Sequence, residues 1–323
     1  MFQTTNQGRT MPRRLALRCL LSFALVTFAL AHGAGRGAAA DTLTVGGMAR
    51  SYALALPEQL SAPVPLVLVL HGAGGNGAGA LVHYRWDEKA RAAGFIAAAP
   101  DAMPAFPELR TNFLTNPRYW SDGSGRGPPA HGRIDDTAFL AALIEALAAR
   151  YPVDRSRIYV TGFSSGASMT HRAGLLLADR LAAIAPVAGK AWSRSRPARP
   201  LPVLFLVGDQ DPLTPLGGGP VKSPWGGVQD YPPARALPEA WAGFDACDGA
   251  PTRESPQAGV ALEAWRHCAG GAEVLFYTVR GLGHEWAGGR GRALPAAMTG
   301  PYTDAIDTTA LIWDFFKRQR LRR

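Results

Sequence analysis

The sequence predicts an α/β fold: a mostly parallel sheet covered by helices on both faces. Three observations predict it. The runs "PLVLVLH" (residues 65–71), "GFIAAAPD" (94–101) and "PVLFLVG" (202–208) are almost continuously apolar, as strands buried on both faces of a parallel sheet must be. Amphipathic helical patterns fall between such runs, which is the alternation that builds this architecture. There is no repeat of 20–50 residues and no low-complexity tract, so solenoids and propellers are excluded.

Element by element, "RSYALALP" (50–57) alternates with period two and suits an edge or antiparallel strand. The runs at 65–71 and 94–101 follow as central strands. Residues 102–134 are rich in Pro, Gly and Asn and read as a long irregular connection. Asp135 and Asp136 open a helix, with Asp136 as the expected N-cap, and Phe139, Leu140, Leu143, Ile144 and Leu147 share one of its faces. "RIYVTG" (157–162) is a strand, and "SGASMTHRAGLLLADR" (165–180) is the helix after it. Strands follow at "AAIAPVAG" (182–189) and 202–208, then a Gly/Pro-rich stretch to about residue 233. A helix near 234–247, a strand "EVLFYTVRG" (273–281) and a helix at 304–319 complete the chain.

Hydrophobic residues make up 47% of the 323 and charged residues 18%, the balance of a globular chain. The formal charge of +9 resembles a nucleic-acid signal until it is located. Residues 1–40 hold five arginines and no acid, and 317–323 hold five more bases, so the body from 41 to 316 carries a net charge of −1. No basic stripe covers it, and no nucleic-acid partner is expected. The basic C-terminus reads as a solvated helix end.

Residues 1–40 read as a signal peptide, and 41–323 as a single catalytic domain. Arg13, Arg14 and Arg18 precede the apolar run "LLSFALVTFALA" (20–31), too short to span a bilayer. "AAA" at 38–40 suits a signal peptidase, Ala29 to Ala31 offers a second cut, and Met11 is an alternative start. The expected mature chain is exported, secreted or periplasmic, with no membrane span. It keeps two cysteines, Cys247 and Cys268. In an oxidising compartment an even pair reads as one disulfide, worth on the order of 3 kcal/mol; two unpaired buried thiols are the alternative. Zinc-type ligand spacing is lacking.

The chemistry centres on "YVTGFSSGASM" (159–169). Gly162-x-Ser164-x-Gly166 is a weak signal alone, but here it joins a predicted strand to a predicted helix, the context a serine nucleophile on a tight turn needs. The helix N-terminus favours developing negative charge. Ser165 and Ser168 lack glycines at the right offsets. A serine nucleophile needs a base, and the base an orienting carboxylate. His284 in "RGLGHEWAGG", past the strand at 273–281, suits the base better than His267 beside Cys268. "GDQDP" after the strand at 202–208 offers Asp209 and Asp211, with Asp211 preferred because it begins the loop. The oxyanion donors expected are the backbone N–H groups of Ser165 and of Ala73, or next Gly74, in "HGAGGNG" (71–77). That loop fits neither G-x-x-x-x-G-K-[ST] nor a dinucleotide fingerprint. Trp120 and Trp286 flank these loops and are the candidate substrate-stacking residues, packing in the core being the alternative.

These segments resemble the secreted polyhydroxybutyrate-depolymerase and feruloyl-esterase-like branch of the α/β-hydrolases. The likeness covers roughly residues 45–318 and rests on "LVLVLHGAGGNG", "YWSDG", "IDDTAFLAALIEALAARYPVDRSRIYVTGFSSGASM", "APVAG", "GDQDPLTPLGGG", "WAGFDAC" with Cys268, and "GLGHEW". The resemblance implies an α/β-hydrolase fold, a triad of Ser164, Asp211 and His284, and pairing of Cys247 with Cys268. Val207, Leu282 and Ala287 depart from the branch, where His, Gly and Pro are usual. Polymer-degrading relatives often carry a linker and a substrate-binding domain. Neither is visible here, which counts against crystalline polyester.

The expected activity is carboxylic-ester hydrolysis through an acyl-enzyme, on a small ester, a hydroxyalkanoate oligomer or a polysaccharide ester such as a feruloyl or acetyl ester. No metal or organic cofactor is implied. An acyltransferase shares the intermediate, an exopeptidase shares the triad, and a non-catalytic binding module would have lost one of these groups.

Overall fold

The most apolar runs of the sequence occupy the middle of one sheet. The computed structural model describes residues 41–60, 62–125, 134–193, 195–222, 227–292 and 294–322; the expected signal peptide, 1–40, lies outside them. In chain order the strands are β1 (Asp41–Val45), β2 (Met48–Ala55), β3 (Val64–Leu70), β4 (Ile96–Pro100), β5 (Met103–Pro104), β6 (Arg118–Tyr119), β7 (Val153–Phe163), β8 (Ala183–Val187), β9 (Val203–Gly208), β10 (Gly219–Lys222), β11 (Val228–Tyr231), β12 (Thr252–Gln257), β13 (Val260–Trp265) and β14 (Val274–Val279). The helices are α1 (Gly77–His83), α2 (Trp86–Ala93), α3 (Asp136–Arg150), α4 (Ser165–Leu176), α5 (Ala236–Phe244), α6 (Ala296–Thr299) and α7 (Thr308–Phe316).

Ten strands form the main sheet in the order β1-β2-β4-β3-β7-β8-β9-β14-β13-β12. The six from β4 to β14 run parallel. The outer pairs β1/β2, β2/β4, β14/β13 and β13/β12 are antiparallel. Side-chain alternation divides the interior into two cores. Val67 and Val69 of β3 face Trp86, Phe95 and Phe316 beside α1, α2 and α7. Leu66, Leu68 and Leu70 face Phe139, Leu143, Met169 and Trp241 of α3, α4 and α5. The predicted architecture, helices on both faces of a mostly parallel sheet, is the observed one, and it is the α/β-hydrolase fold.

The structure departs from the sequence reading in local detail. α1 and α2 occupy a stretch to which no helix was assigned, and β10 pairs with β11 inside the Gly/Pro-rich region before residue 233. The N-cap of α3 is Asp135, whose side chain accepts from the Ala138 N–H at 3.0 Å. The predicted cap, Asp136, instead turns inward and pairs with Arg50 at 2.5 Å, both fully buried. It also accepts from the Ser121 N–H at 2.7 Å, because a buried carboxylate needs its charge matched and its lone pairs filled. Cys247 and Cys268 are disulfide-bonded, tying the end of α5 to the segment after β13.

Candidate active site

Parallel strands place all their C-terminal ends on one edge, and open α/β sheets bind ligands there. The loops that leave β3, β7, β9 and β14 at that edge carry the residues singled out above. β7 ends in Phe163, α4 begins at Ser165, and Ser164 joins them with φ 57° and ψ −119°. A non-glycine residue with such a dihedral pair is strained and must be held by its surroundings. Two glycines allow that. A Cβ on Gly162 would meet the Gly166 backbone at 2.6 Å, and one on Gly166 would meet the Leu70 carbonyl oxygen at 2.4 Å. The turn is therefore possible only with these glycines, and it lifts Ser164 into a cleft at the N-terminus of α4.

His284 follows β14 in a loop fixed by backbone bonds: the Gly283 N–H donates to Pro301 O and the His284 N–H to Thr299 O. Its Nδ1 lies 2.8 Å from Asp211 Oδ2. Asp211 Oδ1 accepts the N–H groups of Leu213 and Thr214, each at 2.7 Å, so the carboxylate is oriented by two backbone donors. Both residues are almost completely buried, His284 at 4% and Asp211 at 3% exposure. Asp209, the other acid of "GDQDP", accepts from the Gly281 N–H at 2.7 Å and braces the two loops against each other. His267 is exposed beside the disulfide. His284 and Ser164 line the same cleft, of about 820 Å³.

The loop after β3 forms another part of the wall, with Ala73 and Gly74 lining the cleft beside Ser164 and Ser165. The Gly74 N–H donates to Arg118 O at 2.9 Å. His71 anchors this loop. Its Nε2 accepts from the Ala102 N–H at 3.0 Å, so the proton sits on Nδ1, which donates to Gly72 O at 2.7 Å. Burial holds this imidazole neutral, with its pKa lowered to about 4. The sequence reading did not find this role; the signal available was a histidine at the end of the most apolar strand, where an imidazole must satisfy both nitrogens locally.

Two predicted contacts are corrected. Trp120 and Trp286 are each 1% exposed, and neither lines the cleft. Trp120 Nε1 donates to His71 O at 2.7 Å, bracing the loop from behind. Trp286 stacks on Tyr84 with ring centroids 4.5 Å apart, and its Nε1 donates to Thr309 Oγ1 at 3.0 Å. A buried indole needs a partner for its N–H, and both find one on the core side. The aromatic surface of the cleft comes from Tyr84, Phe106, Phe113, Tyr119, Phe163 and Tyr231 instead. Phe106 is half exposed at its wall.

A family model described as phospholipase/carboxylesterase matches residues 56–222, just over half of the chain. The chain belongs to this family. It is a carboxylic ester hydrolase. The carboxylesterase is 32% identical over 285 residues to a Nocardia uniformis subsp. tsuyamanensis protein named as the esterase NocK, covering 80% of this chain and 77% of that one. It is 33% identical over 162 residues to feruloyl esterase B of Piromyces equi, covering 48% of this chain and 30% of the relative. It is 24% identical over 245 residues to poly(3-hydroxyalkanoate) depolymerase C of Paucimonas lemoignei, covering 71% and 56%. The chain thus spans well under two thirds of these last two relatives. Among solved structures, an acetyl xylan esterase from Aspergillus awamori superposes with a TM-score of 0.57 at 15% identity, over 86% of this chain and 99% of the other, a likeness of fold. Among the described residues no helix is long and apolar enough to cross a membrane.

Proposed function

We propose that the carboxylesterase works through an acyl-enzyme on Ser164, with His284 as general base and Asp211 as its orienting carboxylate. The observation that carries this is the 2.8 Å contact between His284 Nδ1 and Asp211 Oδ2 at the wall of the cleft that holds Ser164 on its strained turn. His284 takes the Ser164 proton through Nε2 as Oγ attacks the ester carbonyl. Asp211 keeps the proton of the neutral ring on Nδ1 and stabilises the imidazolium that forms. The oxyanion rests on the backbone N–H groups of Ser165 and Ala73; Gly74 is the weaker candidate because its N–H already serves Arg118 O. The imidazolium protonates the leaving alcohol, then His284 activates water to release the acid.

The substrate class that fits is a small ester with an apolar acyl part, hydroxyalkanoate oligomers first and feruloyl or acetyl esters of polysaccharide second. An apolar wall of Phe106, Phe113 and Leu114 supports this, as do the names of the relatives. Export through a signal peptide in residues 1–40, followed by a single catalytic domain in 41–323, is part of the same proposal; the disulfide supports it, since such bonds persist in oxidising compartments. Ser164→Ala should lower turnover of p-nitrophenyl butyrate about 10³-fold or more while leaving the far-UV spectrum unchanged. An unchanged rate would refute the nucleophile. A panel adding methyl ferulate and hydroxybutyrate oligomers ranks the substrates.

A further inference from the structure

Tyr84 follows α1 as its C-cap residue, and its ring is clamped on two sides. It stacks on Trp286 with centroids 4.5 Å apart and lies 5.9 Å from the ring of Phe163, the residue before Ser164. Phe163 in turn lies 4.7 Å from the imidazole of His284. The phenol therefore belongs to one aromatic cluster with the loops that carry Ser164 and His284. Its far end meets the loop after β3. The Gly72 N–H is directed at the phenol oxygen, and Gly72 packs against Ser164: a Cβ built on it would stand 3.5 Å from Ser164 Cβ and 3.5 Å from Phe163 Cδ1. The next residue is Ala73, an oxyanion donor of the proposed reaction. Tyr84, Gly72, Ala73 and Ser164 line the same cleft. Tyr84 is only 6% exposed, and the surface it keeps opens on that cleft.

A phenol oxygen that faces an N–H still has its own hydrogen to give. Among the described residues no acceptor takes it. Burial pushes the Tyr84 pKa upward, because a phenolate would lose its hydration there, so the group stays protonated and remains a donor. A donor held out of water without an acceptor is costly. An oxygen arriving beside it removes that cost, and the gain grows as the oxygen becomes negative.

We propose that the Tyr84 hydroxyl is a third oxyanion donor, hydrogen-bonding the ester carbonyl oxygen as that oxygen gains charge, alongside the N–H groups of Ala73 and Ser165. The proposal rests on the reading of Ser164 as the nucleophile. The carbonyl π pair moves onto oxygen as the Ser164 Oγ–C bond forms and returns as the alcohol leaves. The phenol keeps its hydrogen throughout, so Tyr84 gives and takes no proton.

Tyr84→Phe keeps the ring between Phe163 and Trp286 and deletes only the hydroxyl. On p-nitrophenyl butyrate its kcat should fall about 10- to 100-fold, with KM within about twofold, the signature of an interaction made only in the transition state. Affinity for a butyl trifluoromethyl ketone, which adds Ser164 Oγ and carries a tetrahedral oxyanion, should fall by the same factor as kcat/KM. A merely structural role would not tie those two losses together. A 3-fluorotyrosine at position 84 keeps the hydroxyl as a stronger donor and should restore both to the wild-type level or above. A Tyr84→Phe kcat within about threefold of wild type overturns the proposal, as does a rise in KM alone, or a loss of kcat without a loss of ketone affinity. Should the Phe variant not fold, the fluorinated protein decides: ketone binding weaker than wild type overturns the proposal, and equal or tighter binding upholds it. Fluorophosphonate labelling separates this proposal from the reading beneath it. A protein labelled at Ser164 whose rate ignores Tyr84→Phe defeats the Tyr84 proposal alone, whereas a label elsewhere defeats the nucleophile as well.

Discussion

Two buried histidines stand in contrasting surroundings. His284, at the cleft, has its Nδ1 against the Asp211 carboxylate. His171, within α4, has its Nδ1 accepting from Trp241 Nε1 at 3.2 Å, with Phe205 of β9 also against it. Both are nearly inaccessible, 4% and 1% exposed. A carboxylate at Nδ1 keeps the proton there, leaves the Nε2 lone pair available and would offset with its negative charge a proton gained at Nε2. An indole N–H at Nδ1 does the reverse: it occupies the lone pair, forces the proton to Nε2 and offers the imidazolium nothing. Burial then lowers the His171 pKa to about 3. The comparison teaches that burial alone does not prepare an imidazole for catalysis; the group at its other nitrogen does.

The contrast is broken most directly at Asp211. Asp211→Asn keeps the shape of the loop but can present an N–H to His284 Nδ1, imposing on the cleft the situation of His171. Turnover should fall by about 10³–10⁴-fold, measured as kcat on p-nitrophenyl butyrate. A loss below about tenfold would mean that the carboxylate is not the orienting group. A smaller effect is expected behind the loop that follows β3. Trp120→Phe removes the N–H that holds the His71 carbonyl, and kcat should drop about tenfold with KM nearly unchanged; a change in KM alone would return Trp120 to substrate binding.

The distance between these residues and their motifs explains what the sequence made legible. The turn at Ser164 was readable because its geometry demands glycine at 162 and 166, and an apolar strand before it fixes where the turn stands. The proposed acid was narrowed to "GDQDP" but not decided by physics, since Asp209 and Asp211 differ only in which neighbour each reaches: Gly281 N–H for one, His284 for the other. Trp120 and Trp286 were misplaced because nearness in the chain to a loop of the candidate site does not reveal which side of the loop a ring occupies. α1 begins Gly-Ala-Gly-Ala and presents no broad apolar stripe. β12, "TRESPQ", is exposed throughout and has no apolar alternation to read. Each is ordered by its pairing with neighbouring elements and not by its own pattern.

At the histidine that the comparison sets aside, His171→Phe should leave kcat within about threefold of wild type. It should lower stability by about 1–3 kcal/mol, the cost of an unpaired buried donor on Trp241, read from denaturant unfolding. A large loss of activity with no loss of stability would contradict its structural assignment. The smallest effect concerns Asp245, at the end of α5, which accepts from the Leu201 N–H at 3.0 Å and is completely buried. Burial raises its pKa to about 7. Because the folded value exceeds the unfolded one, its contribution is fully present below about pH 4 and is lost as pH rises towards 7. Asp245→Asn keeps the acceptor without the charge. It should raise the melting temperature at pH 8 by about 2–4 °C and flatten its decline between pH 4 and 7; an equal shift at pH 4 and pH 8 would contradict the titration.

Whether Ser164 is the acylated residue is tested most directly by mass spectrometry of the protein after reaction with a serine-directed fluorophosphonate. The account predicts one adduct per chain, on the peptide containing residues 159–169 and fragmenting to Ser164. It also predicts that labelling is strongly slowed in the Asp211→Asn variant. An adduct on Ser165 or Ser168, or a fully active enzyme that takes up no label at saturating reagent, would contradict it.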